Sequence, residues 1–166
     1  TNEHTLRFLN NNDTGERFIT RHGEALTRVA TVALLTLPGI PCLYSFDEVG
    51  AGFRPYDSPE PIRVHNESLR EFHQRWIWLR RTHPALSGPG FKVLDVGDED
   101  ELYAYLRSGG GRTVLVLLNF SKLPVKRDLP LSQSFIDLMN GETLAPEHGV
   151  LPVALAPWEA RALEQR

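Results

Sequence analysis

The first clear pattern along the chain is an apolar stripe with helical spacing, at positions i, i+3, i+4, i+7, i+8 and i+11. Pro38 and Gly39 follow it and predict the end of the helix. The next five residues, Ile40 to Tyr44, form a short apolar run, which predicts a strand buried on both faces of a parallel sheet, with Asp47 and Glu48 after it. The stripe consists of Leu26, Val29, Ala30, Ala33, Leu34 and Leu37.

A weaker strand signal precedes this helix, and a second helix follows. Leu6, Phe8 and Leu9 stand before Asn10, so the order is strand, helix, strand, with polar residues after each strand, which is the α/β pattern. Beyond a Pro-rich loop at 54–62, the capping-box spacing of Ser68 and Glu71 predicts a second helix, which Pro84 ends. Its predicted core face is Leu69, Phe72, Trp76, Ile77 and Leu79. Basic residues near its end, among them Arg80, suit the negative end of the helix dipole.

After residue 90 the hydrophobic period changes from helical to two. Leu102, Ala104 and Leu106 alternate with tyrosines, and 114–118 is a fully apolar segment. Turn signals at 109–111 and 140–141 separate further short apolar segments at 125–129, 135–138, 150–155 and 160–163. Six to eight short strands at this spacing predict an antiparallel β-sandwich. Two Pro and two Gly between Pro84 and Gly90 indicate a domain boundary, which we place between residues 86 and 87.

The composition is that of an ordinary globular protein. The 166 residues include 18 Lys and Arg against 21 Asp and Glu, and 41% are hydrophobic. These proportions exclude a disordered tail and a nucleic-acid binder driven by bulk positive charge. The single cysteine, Cys42, excludes an internal disulfide, and no apolar stretch approaches the roughly 20 residues that cross a bilayer. We therefore expect neither nucleic acid nor membrane as a partner, while the compartment stays undecided.

An unusually polar segment follows the first predicted strand: Phe8-Leu-Asn-Asn-Asn-Asp-Thr-Gly-Glu-Arg-Phe18. Loop Asn and Asp most often satisfy nearby backbone groups, so this segment alone is weak evidence for a site. The succession of segments is more specific. An amphipathic helix comes next, then Thr36-Leu-Pro-Gly-Ile-Pro-Cys-Leu-Tyr-Ser-Phe-Asp-Glu-Val-Gly50, then a helix that ends in Leu79-Arg-Arg-Thr-His-Pro-Ala-Leu86.

Over nearly its whole length this succession resembles the C-terminal portion of the α-amylase family of glycoside hydrolases. The (β/α)8 barrel of that family carries a Phe-x-x-Asn-His-Asp segment after its seventh strand and a Gly-x-Pro-x-x-Tyr-Tyr-Gly-(Asp/Glu)-Glu segment on its eighth. The Asp-Thr-x-Glu-Arg-Phe segment at residues 13–18 looks most like the corresponding segment of neopullulanase or cyclomaltodextrinase-type enzymes. The resemblance implies that residues 1–86 are the last two strand–helix units of the barrel and that residues 87–166 are a C-terminal antiparallel β-sandwich.

The resemblance also implies site residues. Asp13 matches the third catalytic carboxylate of the family, which binds hydroxyls of the distorted sugar and stabilises its cationic transition state. A fixed carboxylate suits that task because an oxocarbenium-like centre develops positive charge. Asn11 would hold the loop, and Asn11, Asn12 and Arg17 are the expected substrate-binding residues. The implied substrate is an α-glucan or maltooligosaccharide, and no cofactor is expected.

Two positions depart from the family pattern. Asn12 stands where the family usually has His, and it can donate a hydrogen bond but never as a cation. Phe46 stands where the family has Gly, so a bulky ring occupies a position at which the backbone normally approaches closely. An altered specificity, as in the transglycosylating or disaccharide-specific branches, is one account of these departures, and loss of catalysis is another.

The length of the chain bears on mechanism. A complete barrel needs roughly 250 residues, and only two strand–helix units fit before Pro84. Retaining glycosidases need a nucleophile and a general acid about 5 Å apart, and the family places these on the fourth and fifth strands. We therefore expect the chain to be the tail of a longer retaining enzyme and to be inactive alone. Its open face, Leu6, Phe8, Cys42 and Tyr44, should be covered by the missing barrel or by self-association.

Other chemistry-bearing residues favour no second site. The six histidines share no ligand spacing, so no metal is expected. The acidic run at 98–101 is better explained as a solvated hairpin tip, and Trp76, Trp78 and Trp158 as core or interdomain residues than as sugar-stacking ones. The alternative function is a non-catalytic amylase-like protein or a carbohydrate-binding module that uses the sandwich.

Overall fold

The computed structural model describes residues 4–54, 56, 66–97 and 102–166. The chain divides into two compact units, Thr1–Arg80 and Arg81–Arg166. The acidic run predicted to be a hairpin tip, at 98–101, lies outside the described residues, as does most of the Pro-rich segment. Among the described residues, none of the helices could span a bilayer.

The first unit contains a pair of short parallel strands and the helices that follow them. Strand β1 (Leu6–Arg7) pairs with β2 (Ile40–Pro41), and helix α1 (Phe18–Thr36) connects the two. A 3-10 turn at Asp47–Val49 and helix α2 (Glu67–Thr82) come next. The predicted order of strand, helix, strand and helix is confirmed, and the polar residues that follow β1 and β2 therefore leave parallel neighbouring strands at the same end.

Three details of the first unit differ from the predictions. Helix α1 begins earlier than its apolar stripe and is interrupted at Gly23, whose φ of 80° is not helical. The strand at Ile40 is not buried on both faces, since the Ile40 side chain is 50% exposed. The predicted capping role of Ser68 is wrong: the side-chain oxygen of Asn66 accepts from the backbone N–H of Leu69 and caps α2 instead.

Helix α2 packs mostly by its predicted face. Leu69, Trp76 and Leu79 are buried, whereas His73 takes a core position that the apolar pattern missed. The His73 ring can be buried because its Nδ1 lies 2.9 Å from the carbonyl oxygen of Leu69. Arg80 donates to backbone carbonyls at and just after the end of α1, to that of Leu37 at 2.9 Å and to that of Gly39 at 2.8 Å.

The second unit consists of one short helix and antiparallel strands. Helix α3 (Pro84–Ser87) precedes the strands β3 (Gly90–Val93), β4 (Leu102–Gly109), β5 (Arg112–Asn119), β6 (Val125–Leu129), β7 (Phe135–Asp137), β8 (Thr143–Leu144), β9 (Leu151–Leu155) and β10 (Ala160–Gln165). Six strands form one sheet in the order β3-β4-β5-β10-β7-β8, and β6 pairs with β9 in a second, two-stranded sheet. The predicted antiparallel strands are confirmed.

The core of this unit lies between the two sheets. Leu102, Leu115 and Leu163 of the large sheet pack in one cluster with Val125, Leu151 and other residues of the β6–β9 pair. The opposite face of β4 is also buried, contrary to simple alternation, because α3 packs against β4 and β5. Arg107 on that face is 1% exposed and donates to the carbonyl oxygens of Gly88 at 2.6 Å and Gly90 at 3.0 Å.

The helix–sheet contact requires residues without a side chain. A Cβ added to Gly109 would lie 2.5 Å from the carbonyl oxygen of Pro84 and 2.6 Å from the Cα of Gly88. Both atoms belong to the backbone, so neither can yield without moving α3 or the end of β4. The glycines at 88 and 109 thus set how closely α3 approaches β4.

A buried histidine joins α3 to the sheet of the same unit. His83 is 9% exposed, and its Nδ1 accepts from the backbone N–H of Ala85, which caps α3. Its Nε2 lies 3.5 Å from Glu164 Oε1, and that oxygen accepts a hydrogen bond from Arg112 at 2.5 Å. Burial lowers the pKa of His83 below its ordinary value; Glu164 opposes this effect and Arg112 adds to it.

We predict that Gly109→Ala destabilises the protein by about 1–3 kcal/mol, because the added methyl group overpacks a backbone contact. Equilibrium unfolding in urea measures the change. Gly52→Ala is the control, since its Cβ would meet only the side-chain oxygen of Thr20 at 3.0 Å. Equal stability of the two variants would contradict the proposed role of the close approach.

We predict that His83→Asn reduces the loss of stability on mild acidification. The neutral imidazole is favoured in the folded state, so the stability that His83 contributes is full above about pH 6.5 and is lost as the pH falls through the lowered folded pKa. Asn keeps a capping oxygen but does not titrate. The measurement is the melting temperature at pH 7.5 and 5.5. His148→Asn, at an exposed turn position, should keep the wild-type difference between the two pH values.

Candidate functional site

The candidate site lies where the chain leaves the two parallel strands. Residues 8–17 connect β1 to α1, and residues 42–46 connect β2 to the 3-10 turn, which begins at Asp47. Because β1 and β2 run parallel, both connections start at the same end of the strand pair. Polar side chains from the two connections meet there.

Asp47 is the centre of this contact. Its Oδ1 accepts from Asn10 Nδ2 at 2.8 Å and from Arg17 Nη1 at 3.0 Å. Its Oδ2 accepts from the backbone N–H of Tyr44 at 3.2 Å. Asn10 is 4% exposed and also accepts, through Oδ1, from the backbone N–H of Phe18 at 2.7 Å. The residues between Asn10 and Arg17, 11–16, form the Asp13 loop. The Asp47 carboxylate therefore links both ends of this loop to the connection that follows β2.

Arg17 is enclosed rather than open to a ligand. Its guanidinium is 1% exposed and lies between two aromatic rings, 4.6 Å from the centroid of Tyr44 and 4.7 Å from that of Phe53. Backbone oxygens of Ser45 and Phe53 accept its remaining hydrogen bonds. The Arg17 side chain, which the sequence analysis expects to bind substrate, is therefore enclosed by its partners in this structure.

Burial dominates the electrostatics of Asp47. Loss of solvent raises the pKa of this carboxyl group, while Arg17 and the hydrogen bonds from Tyr44 and Asn10 oppose the rise. A carboxyl group with a perturbed pKa beside a polar loop is a common feature of functional sites, although structural ion pairs produce it too.

The loop between Asn10 and Arg17 holds Asp13 near the surface. Asn11 Oδ1 accepts from the backbone N–H of Asp13 at 2.9 Å, and Thr14 Oγ1 accepts from that of Asn11 at 3.1 Å. Asn12 Nδ2 donates to Asp13 Oδ1 and to the hydroxyl of Tyr56, both at 3.0 Å. Asn11, Asn12 and Asp13 are thus brought together, with the Asp13 side chain exposed.

Phe46 has a strained backbone in the turn before Asp47. Its φ is 71° and its ψ is 10°, a left-handed conformation that β-carbons disfavour. Its carbonyl oxygen accepts from the backbone N–H groups of Val49 and Ala51, and its ring lies 6.1 Å from that of Phe53. These contacts hold the turn in a conformation suited to the glycine that the resemblance expects at this position.

Sequence reasoning missed Asn10 and the partnership of Asp47 with Arg17. Asp47 was visible as an acidic residue after a predicted strand, and Arg17 as a basic residue in the polar segment. Thirty positions separate the two residues, and no local pattern pairs residues at that distance. Among the described residues, no cluster of three His, Cys, Asp or Glu side chains could hold a metal ion.

Comparison with known proteins identifies relatives of both units. Residues 91–161 match the family model "Maltogenic Amylase, C-terminal domain". Neopullulanase 2 of Thermoactinomyces vulgaris is 31% identical over 93% of this chain. The chain spans only 28% of the length of that relative.

Solved structures show the same fold over nearly the whole chain. A cyclomaltodextrinase structure matches 99% of this chain and 30% of its own with a TM-score of 0.86 at 24% identity. An α-amylase from Geobacillus thermoleovorans, complexed with acarbose, matches 99% of this chain and 39% of its own with a TM-score of 0.85 at 19% identity.

We predict that Phe46→Gly is more stable than Phe46→Ala by about 1–2 kcal/mol, because only the alanine variant retains a β-carbon in the left-handed conformation. Both variants lose the aromatic ring, so their difference isolates the backbone term. The same pair of substitutions at Phe53, which does not have a positive φ, should show the opposite order. Urea unfolding of the four variants provides the measurement, and an alanine variant at 46 as stable as the glycine variant would refute the strain.

Proposed function

Because the chain belongs to the α-amylase family and corresponds to its C-terminal portion, we propose that it is part of an α-glucan-active glycoside hydrolase or transglycosidase. The observation that carries this proposal is the exposed Asp13 carboxylate on a loop that leaves one of two parallel strands and is anchored to the connection after the other. The proposed substrate is an α-glucan or maltooligosaccharide.

Asp13 is the proposed transition-state stabiliser. A carboxylate held by a fixed loop is an anionic partner that needs little reorganisation when positive charge develops at the sugar. Asn11 supports it through the backbone N–H of Asp13, and Asn12 donates to its Oδ1. Arg17 contributes indirectly in this proposal, through Asp47.

The proposed enzyme needs additional polypeptide. A retaining mechanism requires a nucleophile and a general acid, which the family supplies from strands absent here, so the 166 residues alone are proposed to be inactive. The exposed apolar side chains of Leu6, Phe8 and Ile40, at 56%, 42% and 50% exposure, support a covering by the remaining strands of a (β/α)8 barrel, or else by self-association. Residues 1–86 and 87–166 are the proposed barrel and β-sandwich parts.

A second candidate function is non-catalytic sugar binding. The observation that favours it is Asn12, which stands at the position of the family histidine. Its amide nitrogen donates hydrogen bonds to Asp13 and to Tyr56. Such a protein would bind maltooligosaccharides without cleaving them.

We predict that Asp13→Asn, made in the full-length protein, lowers kcat on maltooligosaccharides by at least about 10²–10³-fold with the fold intact, because it removes charge stabilisation in the transition state. The assay is reducing-sugar release, with circular dichroism for the fold. Asp128→Asn, an exposed carboxylate on β6, is the control and should keep wild-type turnover. Wild-type activity in Asp13→Asn would refute the assignment, and oligosaccharide binding without turnover in the unmutated protein would establish the second candidate.

A further inference from the structure

The Asp13 loop is fastened at both ends to one carboxylate. Asn10 immediately precedes residues 11–16 and Arg17 immediately follows them, and both side chains donate to the same atom, Asp47 Oδ1, at 2.8 and 3.0 Å. The other oxygen, Oδ2, accepts from the backbone N–H of Tyr44 and so fixes the carboxylate to the connection after β2.

The hydrogen bonds between residues of the loop itself do not fix the loop to the connection after β2. Asn11, Asp13 and Thr14 bond to one another, and these contacts define the shape of the loop but are local and exposed. A loop with a defined shape can still move as a body relative to β2. Within the described residues, an exposed bond from Asn12 to the hydroxyl of Tyr56 opposes such movement at the surface, and the buried side chains at the two ends of the loop oppose it from within.

We infer that Asp47 is a positioning residue for Asp13: its carboxylate closes the loop that carries Asp13 and sets where that side chain lies relative to the end of β2. This inference rests on the proposed function of Asp13 for its catalytic consequence, but its structural part does not. Asp47 itself touches no substrate in this account.

The carboxylate suits the task better than a neutral group. One oxygen receives an amide donor and a guanidinium donor together, and charge-assisted hydrogen bonds are shorter and stronger than neutral ones. The rings of Tyr44 and Phe53 cover Arg17 and keep water from replacing Asp47 as its partner. Amide substitution at 47 keeps an acceptor oxygen and removes the charge, so it weakens both ends of the loop at once.

The test is Asp47→Asn in the full-length protein, with hydrogen–deuterium exchange of residues 11–16 and separate determination of kcat and KM. We expect faster exchange in this loop and a kcat lowered by up to about 10²-fold, the effect of misplacing a reacting group by about an ångström, with KM changed far less. Glu48→Gln removes the same charge one position along the same turn and should leave the loop exchange and kcat unchanged.

A second variant guards against loss of the fold. Asn10→Ala releases only the first end of the loop and leaves the Arg17–Asp47 ion pair in place, so it should show the same localised changes to a smaller degree. Unchanged loop exchange in a folded Asp47→Asn protein overturns the inference, as does faster exchange spread evenly over the first unit. Faster loop exchange together with wild-type activity in Asp13→Asn would leave the positioning role standing and refute the proposed function instead.

Discussion

The buried ion pair between Arg17 and Asp47 is the interaction on which the polar cluster after β1 and β2 depends. A guanidinium with 1% exposure needs a counter-charge, since removing one partner of a buried pair typically costs about 3–5 kcal/mol. Asp47 supplies that charge, and Tyr44 and Phe53 shield it. The pair therefore fixes which ends of two separate connections meet, which is a gain in specificity even where the net gain in stability is small.

Each of the two units is stabilised by a different kind of interaction within itself. The second unit has an apolar core between two antiparallel sheets, and close backbone contacts seat its short helix on one of them. In the first unit, each of the two paired strands is only two residues long, so hydrogen bonds between strands contribute little to the position of its loops. The polar cluster around Asp47 takes over the task of setting loop positions, and the loops gain definition from side chains rather than from a sheet.

Local periodicity predicted most helices and strands correctly because the signals act over a few residues. The i, i+3, i+4 stripe indicated α1, and the change to alternation after residue 90 indicated the antiparallel strands. The sequence could not show that Asn66 rather than Ser68 caps α2, since both are good caps within the same short stretch. Nor could it place Arg17, Asn10 and Asp47 together, because their pairing depends on β1 lying beside β2. The resemblance to a family supplied the candidate Asp13, which periodicity alone would have left among ordinary loop residues.

The departures at 12 and 46 bear differently on the site than their sequence positions suggest. Neither side chain belongs to the Asn10, Arg17 and Asp47 cluster, which is complete, with each of these side chains hydrogen-bonded. Phe46 has a left-handed, strained backbone, and the turn before Asp47 therefore has the conformation that a glycine adopts more readily. Asn12 alters the donors next to Asp13 without altering how the loop is anchored. The changes at 12 and 46 therefore spare the cluster that anchors the loop, and they modify only the turn before Asp47 and the donors beside Asp13.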